Sequence, residues 1–534
     1  MSDDTTAQCV LFPDLFRRPV VAKFDQPYAS SDGGALLLKA CDEALGLTQR
    51  LARCIVDSRQ SGKVEHSIQD LVRQRLYGIA CGYADCNDAE RLSQDPIQKL
   101  LLGRDAVQGA ALASQPTLSR FENAPGRADL YRMGEALAES VIERHRKRLG
   151  SRKVKHLTID LDPTDDPTHG GQQLTFFNGH YDTWCYLPMA GFVSFNRESE
   201  QYLFCYVLRP GDAPAKQGTI GILERVIERL RVAFPKARIL VRLDGGFAGP
   251  ALLKFLEEVD VDYIIGMAEN KVLERRARRM MGRARRLSKR RGKTANVFGE
   301  TRYGAKSWKG HKRRVLIKAE VVRLEDRKPK DNARFVVTNL KGSPRYLYKK
   351  VYCDRGDVEN RIKELHHGLE IDRTSCTNFL ANQLRVLLTA AAYVLYQELR
   401  LRARVGEFAS AQVSTLRERL VKLGVWVEVS VRRIVLHLPD SFPYLDEWLR
   451  IEHAVLGRHP PNQPLPDTSA YSASDVGEEC AYLQVKDVAS KQRFPSTPTT
   501  RQRCFLSQGP SLPRSVWLFI RISPHTLRFA NDVG

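Results

Sequence analysis

The sequence lacks the signatures that assign most chains of this size to a class. Its eleven cysteines are scattered, Cys81 and Cys86 are the nearest neighbours, and CxxC never occurs. An odd, irregular set of this kind points to reduced thiols, not to a disulfide framework or a zinc module. No GxxxxGK[ST] loop is present, which removes the main signature of ATP-driven chemistry. The longest nearly apolar run, Val386–Tyr396, is about half the ~20 residues a membrane-spanning helix needs. The opening Met1-Ser2-Asp3-Asp4 lacks the basic-then-apolar plan of a secretory signal. No internal repeat is evident. These absences lead us to expect a large, soluble, basic, cytoplasmic protein with no membrane partner.

What the sequence does have is positive charge. In 534 residues, 84 Lys+Arg stand against 62 Asp+Glu, a net +22 that implies a polyanionic partner. The stretch Lys271–Lys293 carries twelve Lys/Arg and one Glu, so half of the excess lies in 23 residues. Such a tract is either a solvated arm or a set of phosphate contacts. No acidic block elsewhere could neutralise it, which favours nucleic acid, with Arg275, Arg276, Arg285 and Arg286 as candidate contacts.

Residues 1–150 read as helical. Ser31-Asp32-Gly33-Gly34 before ALLLKA, and Ser67 with Asp70 before LVRQRLYGIA, look like helix starts. Gly82–Asp88 and Gln115–Asn123 stand out as compact segments. The second could present Ser119 and Arg120 to DNA or serve helix packing. After residue 150 the period changes. Val154–Asp162 alternates, with Leu157, Ile159 and Leu161 on one face and Thr158, Asp160 and Asp162 on the other. Strands are expected at Trp184–Val193, Tyr202–Leu208, Ala237–Leu243 and Val261–Met267, with helices over Gln217–Phe234 and Pro250–Glu258. This β-β-β-α-β-α-β order matches a ribonuclease-H-like core, an α/β fold with a mixed sheet. Residues 271–345 interrupt it with the basic tract and strand-like pieces at Val315–Arg323 and Arg334–Thr338. We therefore expect a helical N-terminal DNA-binding or dimerisation domain (1–150) and a catalytic core (151–270 and 346–405). A basic β-rich insertion (271–345), a C-terminal helix/strand segment (406–460) and a poorly ordered tail (461–534) complete the expected organisation.

Three carboxylates fall where this topology would gather them. Asp162 closes the first strand, Asp244 ends the fourth, and Glu359 lies on the late helix. On an ideal helix Tyr352, Arg355, Glu359, Lys363 and His366 share an arc of about 80°, beside a face of Val351, Val358, Ile362, Leu365 and Leu369 that would pack on the sheet. Carboxylates so placed are costly unless cations neutralise them. Two Mg²⁺ ions held there could activate a water or a 3′-hydroxyl for in-line phosphoryl displacement.

The segments Asp160-Leu161-Asp162-Pro163-Thr164, Arg242-Leu243-Asp244-Gly245-Gly246-Phe247 and Tyr352-Cys353-Asp354-Arg355-Gly356-Asp357-Val358-Glu359 resemble those of bacterial insertion-sequence transposases of the DDE class. The likeness is to the subgroup with a β-rich insertion before the glutamate, and it covers roughly residues 20–455. Spacings agree: 244 − 162 = 82 residues between aspartates and 359 − 244 = 115 to the glutamate. The family's Tyr-x₂-Arg-x₃-Glu-x₆-Lys pattern is met by Tyr352, Arg355 and Glu359, but His366 stands at the lysine position. Lys363, one turn earlier, could substitute.

The resemblance implies Asp162, Asp244 and Glu359 as catalytic metal ligands for two Mg²⁺ (Mn²⁺ a possible substitute), with Asp160 in reserve for the first. Tyr352, Arg355 and Lys363 would lie near the DNA end. His169, Gly170 and Gln172 form either a simple turn or a scissile-phosphate contact. Trp308 either stacks on an unpaired base or fills a small β core. His366–His367 has no second soft-ligand pair and is not read as a zinc site. The implied function is a nucleoid-associated bacterial transposase, with double-stranded DNA (terminal inverted repeats and target) as partner and a homodimer in the synaptic complex. A catalytically silent DNA-binding derivative and a nuclease that cuts without joining are the rivals.

Overall fold

A computed structural model describes residues 20–457 apart from 309, 325–326 and 404–405, together with residues 17–18 and the backbone of 9–11. The expected tail lies outside the described residues.

The centre of the fold is one eight-stranded sheet. Its strands in chain order are β1 (His156–Pro163), β2 (Met189–Phe195), β3 (Tyr202–Val207), β4 (Arg238–Leu243), β5 (Asp262–Met267), β6 (Ala295–Tyr303), β7 (Arg313–Val322) and β8 (Lys330–Thr338). In space they run β6-β7-β8-β5-β4-β1-β2-β3. The β1, β4 and β5 strands are mutually parallel, and β2 and β3 are antiparallel. This is the ribonuclease-H-like mixed sheet expected from the strand order. Helical crossovers impose the parallel part: Thr219–Ala233 joins β3 to β4, and Pro250–Glu258 joins β4 to β5. Both faces of the centre are covered, so β2 (MAGFVSF) is buried at every position and reads as an apolar run without alternation.

Three differences from the sequence reading have local causes. The single strand expected at Trp184–Val193 is two, Thr183–Tyr186 and β2, split at Leu187–Pro188. Proline ends the ladder because it has no N–H, and its carbonyl instead accepts from the Thr164 N–H at 3.1 Å. The insertion begins with a helix: Lys271–Arg291 is capped by the Asn270 side chain and buries Leu273, Ala277, Met281, Ala284 and Ser288, one stripe at helical spacing. Finally, β6–β8 are not a separate β unit. The β8 strand pairs antiparallel with β5, Ile264 opposite Thr338, so the insertion prolongs the core sheet. The β6 strand was missed because charged and small residues interrupt its apolar positions.

Of the expected N-terminal helices, Ile68–Ala80 forms with a Ser67/Asp70 capping box and Gln115–Asn123 as a helix. They and Arg127–Leu149 pack around Phe379–Arg402, a 24-residue helix long and apolar enough to cross a membrane but occupied on its flanks by this packing. The Gly82–Asp88 segment is tied down there too: Ala84 and Asp85 carbonyls accept from Arg75 and Arg385, and Asp85 pairs with Arg373 at 3.0 Å. Beyond it, Val425–Val429 pairs with Ile434–His437 and with Ala29–Ser30, and Leu445–Leu456 closes the described chain.

The junction between the two ends is tight at Gly34, where an added Cβ would come within 1.7 Å of the Leu420 carbonyl oxygen. Gly34→Ala is therefore expected to destabilise by about 3 kcal/mol, the upper end of overpacking costs. Gly62→Ala, in open space, should change stability by no more than ~0.5 kcal/mol. Denaturation midpoints of the two variants check this.

Candidate active site

The site follows from register. Arg242 lies opposite Asp160 in the parallel β1–β4 pair, so the residues two steps on, Asp162 and Asp244, reach the same edge of the sheet side by side. Neighbouring strands are about 4.8 Å apart. Asp244 caps the turn Gly245–Phe247 by accepting the Gly246 N–H at 2.9 Å. Asp160, on the same strand face as Asp162, is held in a buried ion pair: Arg242 Nε and Nη2 each donate to its carboxylate at 2.8 Å. The reserve candidate for the first metal ligand is thus consumed by structure.

The third side of the site is the chain from Pro344 to Leu369. The sequence reading treats Tyr352 onward as ideal α-helix; the structure places a π-helical stretch at Leu347–Tyr352, a 3₁₀ turn at Cys353–Arg355, and α-helix from Gly356 to Leu369. Wide turns of this type re-aim side chains and often occur at functional sites. Tyr352 lies over Gly266 of β5, where a Cβ would meet its hydroxyl at 2.6 Å. Burial raises its pKa, with Arg355 opposing and Asp244 adding to the rise. Arg355 donates Nη2 to Asp162 Oδ1 at 2.6 Å, while its buried Nε has no acceptor among the described residues. Val358, Ile362, Leu365 and Leu369 are buried as expected, Val351 in the π-helical stretch is only half-buried, and Glu359 stands exposed in the first turn.

Burial pushes the Asp162 carboxyl up to about 7; Arg355 opposes this, and the charges of Asp244, Glu359 and Asp160 add to it. The charges of Asp244 and Glu359 thus both bear on the Asp162 carboxyl. The oxygen-only donor set suits a hard divalent cation such as Mg²⁺ or Mn²⁺. Among the described residues, however, no three His, Cys, Asp or Glu are close enough to form a ligating group. With Arg355 on Asp162, the guanidinium supplies the counter-charge.

The other candidates separate clearly. His366 turns to structure: Nδ1 lies 3.0 Å from Asp372 and Nε2 3.4 Å from the Thr164 hydroxyl. Lys363 is exposed on the helix. Gln172 donates to the Thr374 carbonyl and pins its loop, whereas His169 and Gly170 are exposed. Trp308 is buried against Tyr303 and under Arg313, which resolves the alternatives for it in favour of a core residue. Arg276 and Arg285 are engaged by their own insertion, through Thr301 at 3.1 Å and through Asp331. Arg275 and Arg286 are exposed and face solvent. Sequence reasoning missed Tyr181, half-buried near the carboxylates. Its hydroxyl is pushed up to about 12 by burial and then by Asp165, Asp162 and Asp244. Only the split of the Trp184–Val193 strand would have placed it there.

Because the folded protein holds a proton on Asp162 that the unfolded chain has already released, stability contributed here falls as pH rises from about 3.8 to about 7. Asp162→Asn removes that loss. Its stability relative to wild type should therefore rise with pH between pH 4 and pH 8 without divalent cations, whatever constant offset the loss of the Arg355 pair adds. A stability difference independent of pH would contradict the raised Asp162 carboxyl.

Comparison with known proteins gives a family. The profile of the family described as transposase DDE domain group 1 matches residues 12–459. No protein of curated function matches the sequence. Among solved structures, a piggyBac transposase synaptic complex with hairpin DNA is similar, at 9% identity and a TM-score of 0.39, over 72% of this chain and 79% of that one. On the family match, which spans the fold and the carboxylate site together, this chain belongs to the DDE-domain transposases of group 1.

Proposed function

We propose that this transposase acts on a bacterial insertion sequence: it binds the terminal inverted repeats, cleaves a phosphodiester at each end, and joins the freed ends to target DNA. The observation that carries this reading is the placement of Asp162 and Asp244 on adjacent parallel strand ends with Glu359 bearing on the same carboxyl. In cleavage, water attacks the scissile phosphorus and the bond to O3′ breaks, leaving a 3′-hydroxyl. In joining, that hydroxyl attacks a target phosphorus and displaces the target's own O3′. Bound at Asp162, Asp244 and Glu359, two Mg²⁺ ions would supply activation of the attacking oxygen and stabilisation of the leaving one.

The chain's own residues bind and orient. Arg355 has one donor on Asp162 and a second, Nε, without an acceptor among the described residues, the arrangement a phosphate oxygen would complete. Helix Lys271–Arg291 turns its apolar stripe to the sheet and leaves Arg275, Arg278, Arg279, Arg283 and Arg286 outward as phosphate contacts. Synapsis of two ends calls for a homodimer, in the cytoplasm on the nucleoid. One observation favours the silent DNA-binding alternative: Arg355 already satisfies Asp162, and the three carboxylates are not drawn together.

Incubation with Mg²⁺ and a duplex carrying the element's own end separates these readings. Wild type should cut and join, while Asp244→Asn and Glu359→Gln should each lose about 10²–10³-fold or more, the several kcal/mol such an ion pair supplies. Binding without cutting would establish the silent derivative, and cutting without joining the nuclease. Variants that cut like wild type would overturn the carboxylate assignment.

A further inference from the structure

Between β1 and β2 the chain makes an excursion that the reaction chemistry above leaves without a role. It leaves β1 at Pro163, forms a small antiparallel sheet from Asp166–Pro167, Phe176–Asn178 and Thr183–Tyr186, and returns at Met189, which pairs with Pro163. The excursion therefore leaves β1 one residue after Asp162, and its first strand, at Asp166, follows four residues after that carboxylate, at the edge where the carboxylates emerge.

Its two faces differ. Phe176 and Cys185 are opposite each other on one face, with Cys185 buried and Phe176 39% exposed; Gly211 packs on their backbone, where a Cβ would fall 2.0 Å from the Cys185 carbonyl oxygen. Phe177 and Trp184 are opposite each other on the other face, ring centroids 6.3 Å apart and edge to face. There Phe177 is 53% exposed and Trp184 58%. The loop carrying Gly211 also reaches the site: four peptide steps from Gly211, Ala215 Cβ lies 3.1 Å from the Cβ position of Gly246, beside Asp244. Four steps span at most ~14 Å. The exposed aromatic pair thus lies within a few nucleotide steps of the carboxylates. Large aromatic rings side by side in solvent are expensive for a monomer to display, and they mark contact surfaces.

We propose that the Phe177–Trp184 face is a stacking platform for an unstacked nucleobase of the DNA strand engaged at Asp162 and Asp244, a role that rests on the transposase reading. Aromatic side chains stack on any base because every base has a π-face, so the platform would hold a displaced nucleotide irrespective of sequence. Trp308, buried in the insertion, does not compete for this role.

The test needs no cleavage and is run in EDTA with the full chain. Labelled oligo-dT of about 12 nucleotides is compared with an abasic strand of equal length, which carries the same phosphates without bases. Wild type should bind oligo-dT about tenfold more tightly than the abasic strand. Phe177→Ala/Trp184→Ala should lose this preference while binding the abasic strand as wild type does. Trp184→Phe should keep the preference but lose the tryptophan quenching that oligo-dT causes, which tests the platform even if the double variant folds poorly. Equal binding of the two strands by wild type, or a preference that survives in the double variant, overturns the proposal. So does a fall in the sedimentation mass of the DNA-free double variant, which would make the face a contact between copies. Failure of wild type to cut in Mg²⁺ counts against the transposition chemistry alone, and equal binding in EDTA against the platform alone.

Discussion

Arg242 gives three of its hydrogen bonds to holding the site together. Two go to Asp160 on the neighbouring strand, both at 2.8 Å, and the third goes to the Val351 carbonyl at 3.0 Å. Asp160 is fully buried and Arg242 nearly so. Breaking such a pair by removing one partner costs about 3–5 kcal/mol, because the other charge stays buried. The pair locks the β1–β4 register that aligns Asp162 with Asp244, and the third bond ties that register to the wide helical turn carrying Tyr352 and Arg355. One guanidinium thereby couples the three chain segments that supply the candidate carboxylates.

The same logic of shared edges applies to the insertion. Through the β5–β8 ladder its strands and those that carry the candidate carboxylates form one hydrogen-bonded sheet. Helix Lys271–Arg291 lies across β6 and β7, so the densest positive charge is fixed relative to the carboxylates by backbone pairing instead of a flexible tether. A DNA backbone held along that helix would be presented to the sheet in a set orientation, which is what in-line displacement requires.

Much of this was legible in the residues. Alternation in Val154–Asp162 and the helical spacing of Ile222, Leu223, Val226, Ile227 and Leu230 follow directly from burial on one face, and both elements form. The order of strands and crossovers then suffices for the sheet. What local pattern could not reveal were effects of tertiary pairing. Asp160 and Asp162 share a strand face and differ only in what stands opposite, so their separate fates depend on Arg242. The π-helical stretch before Arg355 has no periodic signature. His366 departs from the family pattern, and its partners, Asp372 and Thr164, come from a loop and from a strand end about 200 residues away. The merging of the insertion with the core was likewise hidden, because pairing between β5 and β8 joins segments that propensity treats separately.

That merging also sets an order of events during synthesis. When β5 emerges from the ribosome its outer edge has no partner, since Ile264–Met267 must wait for Phe335–Thr338. Roughly 70 residues separate them, some 4–14 s of translation at ~5–20 residues per second. In that interval the nascent chain carries a bare apolar strand edge, the kind of edge that templates pairing with other chains. The first segment made after it is the Lys271–Arg291 helix, with eleven Lys/Arg against one Glu. Mutual repulsion between nascent chains bearing that charge opposes edge-to-edge association while the strand is open, so the tract would serve the protein before any DNA is present.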